Sequence, residues 1–530
     1  MKRLAAIPVF LVVATACSLF GDNPSFQQRL SCDVPRVLLQ RQWRGYVPGR
    51  SGEILLIERL PNQFGTRHST PHAYTQDVPL FLYGPGFIRG GVTEDRPVTL
   101  ADIAPTYAEL LDFDEFPLRD GRPLVESLLP ADERNGLPRL IVTVVWDGAG
   151  DNVLDYWPEA WPHLRALMRE GTMYSRATVG SSPSITPAVH ATIGTGAFPS
   201  SHGIADIIMR VDGSIKDSWA KTSPRNLELP TFADMWDAAQ DNKAKLAVLA
   251  RGGWQAGMMG HGAYLEGGDL DIAVLDDVHG VGFRTRDKFY SMPIYLHDTR
   301  GLGEAITKID RKDGSVDETW LGHKILDYVP EVRSTSAWPR YQTERIVGLL
   351  TKEGFGTDDV ADLLFTNYKS LDLAHHAWNM VEPEVQDNLR AQDEQLAVLV
   401  RSLDRLVGRD NYVLALTADH GITPSASVTG GWSIDTDKID RDIDEAFGID
   451  PDDGSLVENN RGYQIFLDED TMAAHDVTAT SVAGFLGDYR IRDNITGEPP
   501  ASFEGDEDQR LFLSALTPDG LKRSLACSRD

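Results

Sequence analysis

The chain has 530 residues, with 51 basic and 79 acidic side chains, a net charge of −28, 42% hydrophobic residues and three cysteines. Length and apolar content allow one large α/β core and exclude a disordered chain. The negative field excludes a nucleic-acid packaging or scaffold role, and it requires any phosphorylated ligand to be held by a local positive site.

Met1-Lys2-Arg3 and the apolar run from Leu4 to Ala16 have the layout of a secretory leader, too short to span a bilayer comfortably. Thr15-Ala16-Cys17 is similar to a lipoprotein box, although Ala14 stands where such a box usually has Leu, so simple cleavage stays open. Residues 1–17 are therefore expected to be removed or lipidated. The mature chain is expected to be exported, to the periplasm or the outer face of the membrane, and to touch the membrane only through a lipid anchor if Cys17 is modified. Export leaves Cys32 and Cys527, at opposite ends of the chain, as a possible disulfide pair.

Apolar, β-branched runs recur at 54–57, 78–83, 140–146, 245–249, 363–367 and 412–417. Continuous apolar runs without alternation predict strands buried on both faces of a sheet. Thr99-Leu-Ala-Asp102 reads as a capping box opening a helix through Leu111. Leu389, Leu396, Leu399, Leu403 and Leu406 follow helical spacing, with Gly408 as the stop. This alternation predicts a largely parallel sheet covered by helices. Residues 265–350, with weaker periodicity, read as an insertion over the edge or top of the sheet. The acidic stretch 433–453 reads as a surface excursion.

In such sheets the ligand crevice lies at the carboxyl ends of the strands. Asp147 follows one predicted strand, Asp372 and His376 another, Asp419 and His420 a third. A solitary strand-end Asp is ordinarily a cap or turn residue. Three such groups together point to a metal centre, because Asp and His form the donor set that zinc selects. A fourth cluster, residues 183–204, is a Ser/Thr-rich loop running into a helix; taken alone, its hydroxyls need no function beyond capping.

From Thr186 to Ile204 the chain reads Thr-x-x-x-His-x-x-x-x-Thr-Gly-x-x-Pro-x-x-His-Gly-Ile. This resembles the nucleophile segment of the alkaline phosphatase superfamily, in its nucleotide pyrophosphatase/phosphodiesterase branch. The resemblance implies a three-layer α/β sandwich with a mostly parallel central sheet. It makes Thr186 the nucleophile, with Ser184 the runner-up. Asp147 in Val-Trp-Asp-Gly, the pair Asp372-x-x-x-His376, and Asp419-His420 resemble the family's metal ligands; His375 falls one position out of register.

The last ligand of the family, a His near its C-terminus, has its counterpart here near the N-terminus, at 65–86, where His68 fits the register and His72 is the alternative. The chain therefore resembles a circular permutant: residues 33–130 correspond to the family's C-terminal portion and precede the main portion, 139–525. Permutation would make the new termini neighbours, which supplies a geometric reason for a Cys32–Cys527 bond.

The resemblance further implies two Zn²⁺ ions, Mn²⁺ being the other candidate. One would be held by Asp372, His376 and His68, the other by Asp147, Asp419, His420 and the Thr186 oxygen. Metal coordination would activate the threonine, and a covalent phosphothreonine would form and be hydrolysed. The substrate would be a small phosphomonoester or phosphodiester. The family's usual phosphoryl-contacting Asn falls on Ile207, next to Asp206, so that contact is missing or replaced. Arg251 falls near where some monoesterases place a basic contact and is the candidate substrate-binding residue; a surface Arg at a strand end is the plain alternative. His190 and His202 read as helix-packing residues, and Trp146, Trp157 and Trp161 as core. A sulfatase would need an Arg that residues 181–185 lack. A phosphotransferase, a mutase and a non-catalytic metal-binding descendant are the remaining alternatives.

Overall fold

A computed structural model describes residues 26–277, 282–325, 332–497, 503 and 505–529. The apolar runs build a nine-stranded sheet: β1 (Leu80–Tyr83), β2 (Val92–Glu94), β3 (Leu140–Trp146), β4 (Thr172–Tyr174), β5 (Leu246–Ala250), β6 (Ile272–Asp276), β7 (Phe283–Arg284), β8 (Asp362–Tyr368) and β9 (Tyr412–Thr417). Their spatial order is β7-β6-β5-β8-β3-β9-β1-β4-β2. The central run β6-β5-β8-β3-β9 is parallel throughout. Every residue of β3, β5, β8 and β9 is buried. Successive side chains point to opposite faces, so full burial requires helices on both.

The helices fall into two groups. One centres on α4 (Thr186–Thr195), packed against α2 (Ile103–Leu110) and α5 (Phe232–Ala239). The other centres on α8 (Pro383–Leu403), packed against α3 (Pro162–Met168), α6 (Ala337–Glu353) and α7 (Ser370–Trp378). The expected capping box is present, with Thr99 and Asp102 opening a 3-10 turn that leads into α2. Gly408, at φ +98°, ends the turn that follows α8.

Two apolar runs take roles that their composition does not reveal. Residues 78–83 enter the central sheet as β1, antiparallel to β9. Residues 54–57 do not enter it. Strand Ile54–Glu58 lies in a separate antiparallel sheet, between Gln464–Leu467 and Phe512–Leu516. A run buried on both faces looks alike in either sheet and either direction. Within 265–350, β6 and β7 form the outer edge of the central sheet itself. Within 433–453, helix Thr436–Ala446 buries Ile439 and Ile443 in a second core; the acidic background masks this one-turn spacing.

The two ends of the described chain meet. Helices α1 (Arg36–Gly45) and α9 (Pro518–Cys527) pack together, and Cys32 and Cys527 form a disulfide with Cα atoms 5.1 Å apart. No described helix is long and apolar enough to cross a membrane.

Candidate active site

Strands β8, β3 and β9 are neighbours, so the residues that follow them emerge side by side. Asp147 comes directly after β3, Lys369 and Asp372 after β8, and Asp419 and His420 after β9. Gly148, at φ +76°, adopts the left-handed backbone that turns the chain away and aims its N–H at Asp419 Oδ1, 3.1 Å distant. Asp372 lies in the first turn of α7, and His376, four residues on, shares its face, with Nε2 3.4 Å from Asp372 Oδ1. His68 arrives from the loop after Ile54–Glu58, and its Nε2 lies 3.7 Å from the same oxygen. Thr186 opens α4.

One ligand-type atom from each of His68, Asp372 and His376 falls within 4.8 Å of the other two. The same holds for Asp147, Asp372 and His420, and for Asp147, His190 and Asp419. His190 is already engaged at both nitrogens: Nδ1–H donates to Thr186 O at 2.7 Å, and Nε2 accepts from the Asn367 amide at 3.0 Å. It therefore braces the first turn of α4. The other residues present three buried atoms without a hydrogen-bond partner: Asp372 Oδ1, Asp419 Oδ2 and His420 Nε2. Converging, unsatisfied carboxylate and imidazole atoms fit divalent cations of the zinc type.

The alternative residues make different hydrogen bonds. Ser184 Oγ donates to His68 O at 2.6 Å, and His68 Nδ1–H donates to Ser184 O at 2.9 Å. Ser184 thus orients His68, leaves its Nε2 lone pair facing the cluster, and has no hydroxyl free to attack. His72 turns to Glu58, with Nε2 3.0 Å from the Glu58 carbonyl. His375 is buried beside Gly148.

Lys369 escaped the sequence reading. Its buried Nζ lies 2.7 Å from Asp147 Oδ1, 2.8 Å from Asp372 Oδ2 and 3.1 Å from Thr186 Oγ1. A lysine directly after an apolar strand and three residues before Asp372 was the available signal. Asn367, the other unexpected member, donates to Asp147 Oδ2 at 2.9 Å and so orients it. Burial raises the Asp147 pKa, but the Lys369 ammonium outweighs this and holds it below the usual carboxylate range. Burial disfavours a charged His420, yet Asp419 and Asp147 hold its pKa up at about 9. His68, stacked on His420 with ring centroids 3.4 Å apart, is pushed well down by burial and by that ring.

Cavities border some of these residues. One, of about 520 Å³, borders His68 and His376 and is lined by Ile185, Ile207, Arg67, Arg461 and Tyr463. Asp206 lies buried beside it, accepting from Tyr463 OH at 2.9 Å and Gln464 Nε2 at 2.7 Å. Arg251 does not join this group. It lines a separate cavity of about 500 Å³ with Lys221, Arg284 and Arg286. The reason is its strand: β5 is one place further from β3 than β8 is, and the turn Gly253–Met258 leads the chain away across α4.

A family model described as type I phosphodiesterase / nucleotide pyrophosphatase matches residues 141–478, more than half the chain. The protein belongs to this family. It is thereby a phosphoester hydrolase of the alkaline phosphatase superfamily. Relatives include alkaline phosphatase PafA of Elizabethkingia meningoseptica, 23% identical over 424 residues that span 68% of this chain and 75% of that one. A protein of Myroides odoratus named calcium-transporting ATPase is 24% identical over 411 residues, 66% of this chain and 73% of its own. The crystal structure of wild-type PafA superposes with a TM-score of 0.53 at 18% identity, covering 72% of this chain and 84% of that one, and so shares the fold.

Proposed function

We propose that this family member is an exported hydrolase that prefers phosphomonoesters and uses Thr186 Oγ1 as the nucleophile. The observation that carries this reading is the Lys369 ammonium, 3.1 Å from that oxygen and anchored on two carboxylates. Asp372, His376 and His68 would hold one divalent ion, and Asp147, Asp419, His420 and the Thr186 oxygen a second; zinc suits these donors, as does manganese. Two bound ions would supply Lewis acidity, lowering the threonine pKa and neutralising charge on the phosphoryl oxygens.

The chain's own residues provide the rest. His190 pins the Thr186 carbonyl and with it the first turn of α4. Asn367 and Lys369 fix both oxygens of Asp147. Lys369, charged at neutral pH, stabilises the threonine oxygen as it loses its proton. As the Thr186 Oγ1–phosphorus bond forms, the ester oxygen–phosphorus bond breaks and the alcohol departs with a proton. Water then cleaves the phosphothreonine, releasing phosphate and restoring the hydroxyl. A monoester dianion carries one charge more than a diester, and Arg67, with Arg461 (3.5 Å from Asp206), stands at the cavity wall to meet that extra charge.

Export is supported by the apolar leader and by the disulfide, a bond that persists in oxidising compartments. Circular permutation is supported by the joined termini, by the match that begins only at residue 141, and by the N-terminal origin of His68 and β1.

The test uses the mature chain loaded with zinc, with rates on nitrophenyl phosphate and bis-nitrophenyl phosphate. The monoester should turn over faster. Lys369→Met should lower its kcat/KM by roughly 10²–10³-fold and the diester's by less. A diester preference untouched by Lys369→Met would overturn the reading.

A further inference from the structure

At the amino end of β6, opposite the strand ends that carry Asp147 and Asp419, three carboxylates meet. Asp237 projects from the last turn of α5, and Asp269 and Asp271 belong to the run entering β6. One oxygen from each lies within 4.8 Å of the other two. Asp237 is 4% exposed and Asp271 8%. Asp237 Oδ1 has no hydrogen-bond partner. Among the described residues, no Lys, Arg or His pairs with any of the three. Lys243 and His261, in the neighbouring sequence, pair instead with Asp241 and Asp234.

Two buried carboxylates without a countercharge are costly, and the cost is relieved either by a proton or by a bound cation. With no cation, burial and the neighbouring carboxylates of Asp269 and Asp234 push Asp237 up to about 7. The donors are all oxygen, with no imidazole or thiol, which selects a hard ion over zinc. Three carboxylates favour calcium over magnesium, because magnesium retains several waters and usually takes only one or two carboxylates.

We propose that Asp237, Asp269 and Asp271 form a calcium site, separate from the catalytic centre, that ties the end of α5 to the edge strand β6. The tie has a protein counterpart already in place: Asn242 Nδ2, just beyond α5, donates to Gly267 O at 2.9 Å in the same run.

The experiment titrates calcium chloride calorimetrically into the full-length, zinc-loaded protein held in calcium-free, zinc-buffered solution, and follows thermal unfolding in parallel. One calcium per chain should bind and raise Tm. Asp271→Asn should weaken that binding at least tenfold, while zinc content and turnover of nitrophenyl phosphate stay unchanged. Asp147→Asn, at the catalytic centre, should retain calcium binding. Should Asp271→Asn not fold, Asp269→Asn, an exposed position, serves in its place. The proposal fails if wild-type protein shows neither calcium heat nor a Tm shift, which would mark a shared proton instead. It fails equally if calcium binding survives Asp271→Asn and is lost in Asp147→Asn.

Discussion

His202 is fully buried, away from the Asp/His cluster, and hydrogen bonds lock its ring in the neutral form. Nδ1 accepts from Ile204 N at 3.1 Å, and Nε2–H donates to Thr192 Oγ1 at 3.1 Å. A proton on Nδ1 would break the first bond, and burial pushes the pKa down to about 3. Because the folded pKa lies below the unfolded value near 6.5, the stabilisation is complete above that pH and is lost as pH falls toward 3. Unfolding free energy should therefore decline by roughly 1.4 kcal/mol per pH unit from this group. Denaturant titrations between about pH 6 and pH 4 should show this slope flattened in His202→Gln, and an unchanged slope would contradict the assignment. The sequence reads His202 and His190 as helix-packing or hydrogen-bonding residues rather than ligands, and both rings are fully hydrogen-bonded. Lys369 was not legible in the same way. Its role depends on β8 lying next to β3, a long-range adjacency that local pattern does not encode.

At the scale of elements, α4 carries Thr186, the proposed nucleophile, at its first position and is held by close backbone contact. A Cβ on Gly194 would lie 2.4 Å from Gly257 O and 2.7 Å from Met258 O, both in the turn that α4 packs upon. Gly194→Ala should force these backbones apart and cost about 1–3 kcal/mol, read as a lower Tm. Because the shift moves Thr186, kcat should fall more than KM rises. An unchanged Tm would show that the turn yields freely. The strand-end positions of Asp147, Asp372 and Asp419 were readable from apolar runs followed by acid, since a parallel sheet places such residues on one edge. The partner and direction of each strand were not readable, as residues 54–57 and 78–83 demonstrate. Arg251 shows the same limit: its strand was recognisable, but its distance from Asp147 depends on the strand order.

Across the whole molecule, the two ends of the chain close on each other, and the segment before residue 130 completes a site that the rest of the chain begins. The strand Ile54–Glu58 sits between two C-terminal strands, and His68 faces Asp372 across more than 300 residues of sequence. Against the net charge of −28, the buried Lys369 ammonium is held between Asp147 and Asp372 at the meeting point of these distant segments. The measurement that tests the central claim most directly is acid-quenched trapping of the zinc-loaded protein during turnover of nitrophenyl phosphate, followed by peptide mass analysis. Phosphate should appear on the peptide containing Thr186, and Thr186→Ala should show no label, no turnover and unchanged zinc content. Undiminished turnover in Thr186→Ala, or label carried on Ser184, would contradict that claim.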